Sequence, residues 1–349
     1  MRTALIIIIC KLCRFLGRLL GKGSSLAGKL ALKLDPNILK KIKMPQYIVA
    51  VTGSNGKTST VEMIAHVLRQ SGRKIAYNRE GSNQIEGVTT FILNDCTLSG
   101  RVKSDLILLE SDERFARFTF KYFTPTHYVI TNLYRDQLTR NGHPEWIYRL
   151  LKKSITSDST QLVLNADDPL VSCFGLGREN TVYYGAGRID GDVEENTSIY
   201  NDGAYCPNCK EPLKYDYYHY NHIGHYHCEN CGLHRERAAY EITAADLHEG
   251  YVTINGRYRI DLAFKSLYHC YNILAAFSIC NILGVPEDEI CRTLGSYILK
   301  SGRVVTFTAG ENSGVLLTSK HENSVSYDQA IRLVTQEKKD CTVVVIVDA

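Results

Sequence analysis

Short runs of β-branched and apolar residues recur along the chain with helical patterns between them. This alternation constrains the fold more than any other feature. The stretches "QYIVAVTG" (46–53), "DLILLESDE" (105–113), "THYVITNL" (126–133) and "TQLVLNADDP" (160–169) read as strands buried on both faces. "TSTVEMIAHVLRQSG" and "PEWIYRLLKKSI" (144–155) read as helices; in the first, Val61, Ile64, Ala65 and Leu68 share one face and Gly72 ends it. Buried strands separated by helices build an α/β fold, a doubly wound, mostly parallel sheet.

Changes of texture divide the 349 residues, which exceed one comfortable core. Residues 1–45 read as an N-terminal helical segment closed by "PNILKKIKMP", and 46–300 as a central domain. Within the latter, about 201–235 is a polar insert rich in tyrosine and histidine. After it, "YVTINGRYRIDLAF" reads as a hairpin turning at Asn255-Gly256, and "SLYHCYNILAAFSICNIL" as a long helix stopped by "GVP". Residues 301–349 open a further α/β domain, with "GVLLTSK" as a strand and "SYDQAIRLVTQEKK" as a helix. Its last strand, "CTVVVIVDA", stops where such a chain would continue, so that domain is expected to be truncated.

At the N-terminus the apolar run Ala4–Cys10 is too short to span a bilayer, and no cleavage site follows it. Leu12, Phe15, Leu16, Leu19 and Leu20 recur at helical spacing with basic residues on another face. Such a helix can lie on a membrane surface; packing against the body of the protein is the expectation here. A net charge of +4 gives no support for bulk electrostatic binding of nucleic acid.

The stretch Thr52-Gly53-Ser54-Asn55-Gly56-Lys57-Thr58 links a strand to a helix. It lacks the glycine that a standard phosphate loop carries five positions before Gly56, where Val51 stands. The chemistry survives the shortening. Gly53 and Gly56 let backbone N–H groups curl toward an anion, and the helix points its positive end at phosphates. Lys57 would offset β/γ-phosphate charge, while Thr58 or Ser59 would offer a hydroxyl to magnesium. Glu110 ends an apolar strand at the sheet edge where ligands bind, which suits a magnesium ligand; Asp112 and Glu113 lie just beyond. Asn132, Arg135 and Asp136 follow another strand on the same edge.

Cys206-Pro-Asn-Cys209 and Cys228-Glu-Asn-Cys231, with 18 residues between the pairs, have the spacing of a structural zinc site. His219, His222, His225 and His227 lie between or beside the pairs, but four thiolates suffice. The other eight cysteines read as small buried hydrophobes, and Cys10-Lys-Leu-Cys13 as an accidental CxxC.

Taken together, "TGSNGKTS", "LNADDP" (164–169) and "YNILAAF" (271–277) resemble segments of the Mur ligase superfamily, ATP-dependent enzymes that activate a carboxylate as an acyl phosphate. "YNREGSNQIEGVTTF" (77–91), "TNLYRDQLTRNG" (131–142), "GKGSSLAGKLALKLDPNIL" (21–39) and the ribbon resemble, more narrowly, its amidating synthase subunits. That resemblance implies amidation of the D-glutamate α-carboxylate of lipid II at the membrane surface, in the cytoplasm. It implies ATP, magnesium and structural zinc as cofactors, and ammonia from a GatD-like glutaminase subunit. It also implies that Lys57 and Glu110 are catalytic, that Asn55 and Ser59 belong to the phosphate site, that Asn272 contacts adenine and that Arg303 approaches the nucleotide. Asn83, Asn132 and Asp136 match motif positions without an assigned role. The sequence departs from the pattern at Tyr268-His269 and at "HENSVSYDQ" (321–329). The aspartate such subunits lend to the glutaminase is expected beyond the chain's end, Asp348 being the nearby residue. An amino-acid-adding or folylpolyglutamate-synthase-like ligase would normally lack the four-cysteine insert, and a zinc-ribbon nucleic-acid NTPase would need a more basic surface.

Overall fold

The computed structural model describes residues 1–19, 25–78, 83–135, 142–196, 200–298, 304–310 and 312–317, with isolated positions beyond. The first half runs α1 (Arg2–Leu19), α2 (Ser25–Leu34), β1 (Tyr47–Thr52), α3 (Lys57–Gln70), β2 (Ile75–Tyr77), α4 (Ile85–Asp95), β3 (Leu106–Glu110), α5 (Ala116–Thr119) and β4 (His127–Ile130). Next come α6 (Pro144–Lys152), β5 (Gln161–Asn165), α7 (Pro169–Ser172) and β6 (Thr181–Ala186). The hairpin β7 (Lys214–Tyr220) and β8 (Ile223–His227) precedes β9 (Tyr240–Asp246), β10 (Tyr251–Ile254), β11 (Tyr258–Asp261), α8 (Leu267–Ile282) and α9 (Glu287–Gly295). A second hairpin, β12 (Val304–Ala309) with β13 (Asn312–Leu317), follows.

Nine strands form one sheet in the order β11-β10-β9-β6-β5-β4-β1-β3-β2. From β2 to β9 every neighbouring pair is parallel; β9–β10 and β10–β11 pair antiparallel at one edge. Alternation along each strand sorts side chains between two cores. Val49, Val51, Leu108 and Val163 pack with α3, α8 and α9, whereas Ile48, Ala50, Leu109 and Leu164 pack with α1, α2, α4 and α6. Each buried Val, Leu or Ile among these contributes roughly 1.5–3 kcal/mol. The expected mixed sheet, dominated by parallel pairs and clothed by helices on both faces, is the observed one. The turn expected at Asn255-Gly256 has both residues left-handed, at φ 53° and 68°.

Helix α1 packs on the body, but not through the predicted stripe. Ile6, Ile7, Cys10 and Arg14 face α2 and α4, and Leu12, Phe15, Leu16 and Leu19 are exposed. Both faces of this helix are apolar, so periodicity alone could not choose between them. The helix expected at 326–339 and the final strand lie largely outside the described residues.

Candidate functional site

The phosphate-loop segment turns sharply at the carboxyl end of β1. Gly53 sits at φ +135°, and a side chain there would strike the Thr131 hydroxyl and the Asn132 backbone. Gly56, at φ +83°, is the residue before α3, and a Cβ on it would overlap the Asn272 amide. Only glycine meets both demands at these positions. Helix α3 then starts with no acidic residue in its first turn and no capping side chain. Its positive end is therefore available to an anion. Thr58 and Ser59, in that turn, are partly exposed.

A second segment braces the loop from the side. The Asn132 side chain accepts from the Asn55 N–H at 2.8 Å and donates to the Asn55 carbonyl at 3.2 Å. Thr131 Oγ1 donates to the same carbonyl at 2.8 Å, and the Ser54 N–H donates to the Asn132 carbonyl at 2.8 Å. Ser54 Oγ donates to the Tyr134 carbonyl and accepts from its N–H. Asn132 thus shapes the loop, and this is the role the structure gives a motif position left open by sequence. From the far side of the molecule in sequence, the buried Asn272 on α8 meets Thr60 at 3.5 Å and closes over Gly56.

Lys57 does not reach outward. Its ammonium donates to the carbonyls of Gly53 and Ser54 and to the Glu113 carboxylate, with both side chains buried. Burial pushes the Glu113 carboxyl up from its ordinary value, and the Lys57 charge pulls the other way. Sequence reasoning noted Glu113 only as a neighbour of Glu110. The turn after Ser111 carries it back to the loop, and no motif spacing signals that. Glu110 ends β3 opposite Val51, half-buried, at the same sheet edge as the loop. Asn83 is half-buried just before α4; Asp136, Arg303 and Asp348 lie outside the described residues.

The four insert cysteines come together, all Sγ atoms within 4.8 Å of one another. Cys206–Cys231 and Cys209–Cys228 approach to 3.6 and 3.5 Å. A zinc ion with bonds near 2.3 Å in a tetrahedron separates its sulfurs by about 3.8 Å, whereas a disulfide needs about 2.05 Å. The cluster therefore fits the metal and not two bridges. Each pair lies in a matching turn, with Lys210 N–H on the Cys206 carbonyl at 2.9 Å and Gly232 N–H on the Cys228 carbonyl at 3.0 Å. Lys210 and Gly232 both take positive φ, so the first turn tolerates a side chain where the second has none.

A buried carboxylate ties this module to the sheet. Asp167 accepts from Arg235 Nε at 2.5 Å, from the Ala186 N–H at 2.6 Å and from the Tyr271 hydroxyl at 2.6 Å. Its neighbour Asp168 caps α7 and also accepts from the Leu133 N–H at 2.7 Å. Of the four histidines, His219 and His222 are buried, the first against Asp192 at 2.7 Å.

The Mur ligase middle domain matches residues 51–231. The MurT subunit of lipid II isoglutaminyl synthase from Staphylococcus aureus strain COL is 35% identical over 92% of this chain and 72% of its own length. The MurT subunit from Streptococcus pneumoniae R6 is 30% identical over 96% and 74%. Among solved structures, a pseudomurein peptide ligase type C from Methanothermus fervidus superposes with a TM-score of 0.68 at 26% identity, covering 84% of this chain and 57% of that one. With its shortened phosphate loop, its parallel sheet and this similarity along nearly the whole sequence, the chain belongs to the Mur ligase family of ATP-dependent ligases, among the MurT subunits.

Proposed function

We propose that the protein amidates the α-carboxylate of D-glutamate in the lipid II stem peptide, giving D-isoglutamine. The observation that carries this reading is the similarity to MurT subunits across nearly all of the chain. In the first step a carboxylate oxygen attacks the γ-phosphorus of ATP, the bond to the β-phosphate oxygen breaks, and ADP leaves. Ammonia then adds to the acyl-phosphate carbon; inorganic phosphate departs, and the nitrogen gives up a proton to leave a carboxamide. A carboxylate oxygen is a poor leaving group and phosphate a good one, which is why ATP is consumed.

The residues around the loop suit that chemistry. The turn through Gly53, Asn55 and Gly56, with its Asn55 backbone held by Asn132, presents the start of α3 to the β- and γ-phosphates. Lys57 exchanges Glu113 for the transferring phosphoryl group and offsets its charge. The half-open hydroxyl of Thr58, with Ser59 beside it, and the sheet-edge carboxylate of Glu110 form an oxygen set that suits magnesium, which supplies charge neutralisation when bound. Asn272 lies against the loop where the nucleoside would extend, and Arg303 is assigned to the closing of the last domain. Cys206, Cys209, Cys228 and Cys231 hold zinc structurally, with no open position for catalysis. A GatD-like glutaminase supplies ammonia, and the work is done in the cytoplasm at the membrane face where lipid II is presented.

The test is co-expression with such a glutaminase and assay with ATP, glutamine and lipid II, scoring isoglutamine by mass spectrometry. Complex formation and ATP-dependent amidation are expected. Transfer of an amino acid in place of ammonia would favour the second reading, a peptide-forming ligase, which the superposition on a peptide ligase makes the natural competitor.

A further inference from the structure

Helix α1 carries apolar residues on two opposite faces, and the fold uses one. Ile6, Ile7 and Cys10 are buried against α2 and α4. On the other side Leu5, Ile8, Leu12, Phe15, Leu16 and Leu19 are all exposed, Leu12 at 57% and Phe15 at 60%. Their spacing of three and four residues lines them up in a stripe about 100° wide along the whole helix. A continuous exposed apolar patch of this kind marks a surface that something covers.

Charge says what covers it. Residues 1–43 hold ten lysines and arginines against the single acid Asp35, a net charge of +9, while the remaining 306 residues carry 31 basic and 36 acidic side chains, a net of −5. Arg2, Arg18, Lys29 and Lys33 of this segment are exposed on α1 and α2. A second copy placed face to face would bring two such cationic segments together. An anionic surface would be attracted to them. The helix cannot insert across a bilayer, because no helix among the described residues is long and apolar enough and the far face of α1 is fixed to the body. Its 18 residues extend about 27 Å, enough to lie flat with the stripe sunk at the boundary between headgroups and acyl chains.

We propose that the exposed face of α1 is a docking surface for an anionic phospholipid bilayer, with Leu12 and Phe15 at its centre and the exposed Arg2, Arg18, Lys29 and Lys33 supplying positive charge around it. The inference does not depend on the amidation reading: a chain that amidates a soluble substrate yet ignores vesicles would overturn this proposal and leave that reading standing.

The test is flotation of the chain with vesicles of phosphatidylcholine alone and of phosphatidylcholine mixed with phosphatidylglycerol. Binding to the mixed vesicles is expected, weakened at least tenfold by Leu12→Glu/Phe15→Glu and weakened by added salt. The chain has one tryptophan, Trp146. A Trp146→Phe/Phe15→Trp variant, which adds no charge, should show a blue-shifted emission with anionic vesicles only. Absence of flotation, flotation unchanged by the double glutamate variant, or a chain dimer in solution that this variant dissolves would each overturn the proposal.

Discussion

The Lys57 ammonium lies 2.5 Å from the Glu113 carboxylate, a pair formed across 56 residues and closed off from solvent on both sides. The lysine of the phosphate loop is thus held inward by a counter-charge. Replacing Glu113 by Gln takes the carboxylate away from a buried cation. The free protein should lose about 3 kcal/mol of stability. Saturating ATP should then raise the melting temperature of the variant more than that of the parent, because phosphate replaces the missing anion. Thermal scans with and without nucleotide check this; equal nucleotide shifts in the two proteins would refute it.

Lys57→Ala leaves the buried Glu113 carboxyl without its cation, which favours its neutral form, and removes the phosphate contact. Turnover should fall about 100- to 1,000-fold, as for loss of one preorganised charge-stabilising donor. Circular dichroism should remain that of the parent. A rise in KM with kcat unchanged would show instead that the lysine binds ground state and transition state equally.

Gly56→Ala tests the closure of the loop by α8. The new methyl group would meet the Asn272 amide at a backbone angle of φ +83°, which costs an L-residue about 1–2 kcal/mol before any clash. Nucleotide affinity should drop at least tenfold. A double variant with Asn272→Gly should recover part of the loss, since the clash is then gone.

The legible part of this molecule was what short-range pattern encodes. The strand 47–52, the loop 53–56 and the helix 57–70 follow from one apolar run, two glycines and a 3.6-residue period. The two cysteine pairs announced their cluster by spacing alone. Glu113 and Asn272 were harder for the same physical reason: each reaches Lys57 or Gly56 through tertiary packing, across a turn or across the sheet. Helix α1 shows a further limit. With Ile6 and Ile7 on one side and Leu12 and Phe15 on the other, amphipathicity has two solutions, and only the neighbours α2 and α4 decide between them.

Cys206→Ser should lower the zinc content of the purified protein, measured by elemental analysis, from about one ion per chain toward zero, because three thiolates leave a tetrahedral structural site open. The ribbon hairpin β7–β8 should lose protection from hydrogen exchange first. Strands β1, β3 and β4 should keep theirs. Unchanged zinc would remove Cys206 from the ligand set.

His269, at the start of α8, is buried, and burial lowers its pKa from 6.5 to about 4. The unfolded chain therefore binds a proton there that the folded chain does not, between those two values. Stability should be complete above pH 6.5 and should fall by about 3 kcal/mol as the pH drops to 4, with no further loss from this group below that. In His269→Gln the denaturant midpoint should change correspondingly less over the same window.

The contact between Thr60 and Asn272 joins positions 212 residues apart. A ribosome adding roughly 5–20 residues per second needs on the order of 10–40 s to cover that interval. For that time the nascent chain carries its glycine turn and its lysine without the helix that covers them. The nucleotide site therefore matures late in synthesis, well after the strand that begins it has left the tunnel.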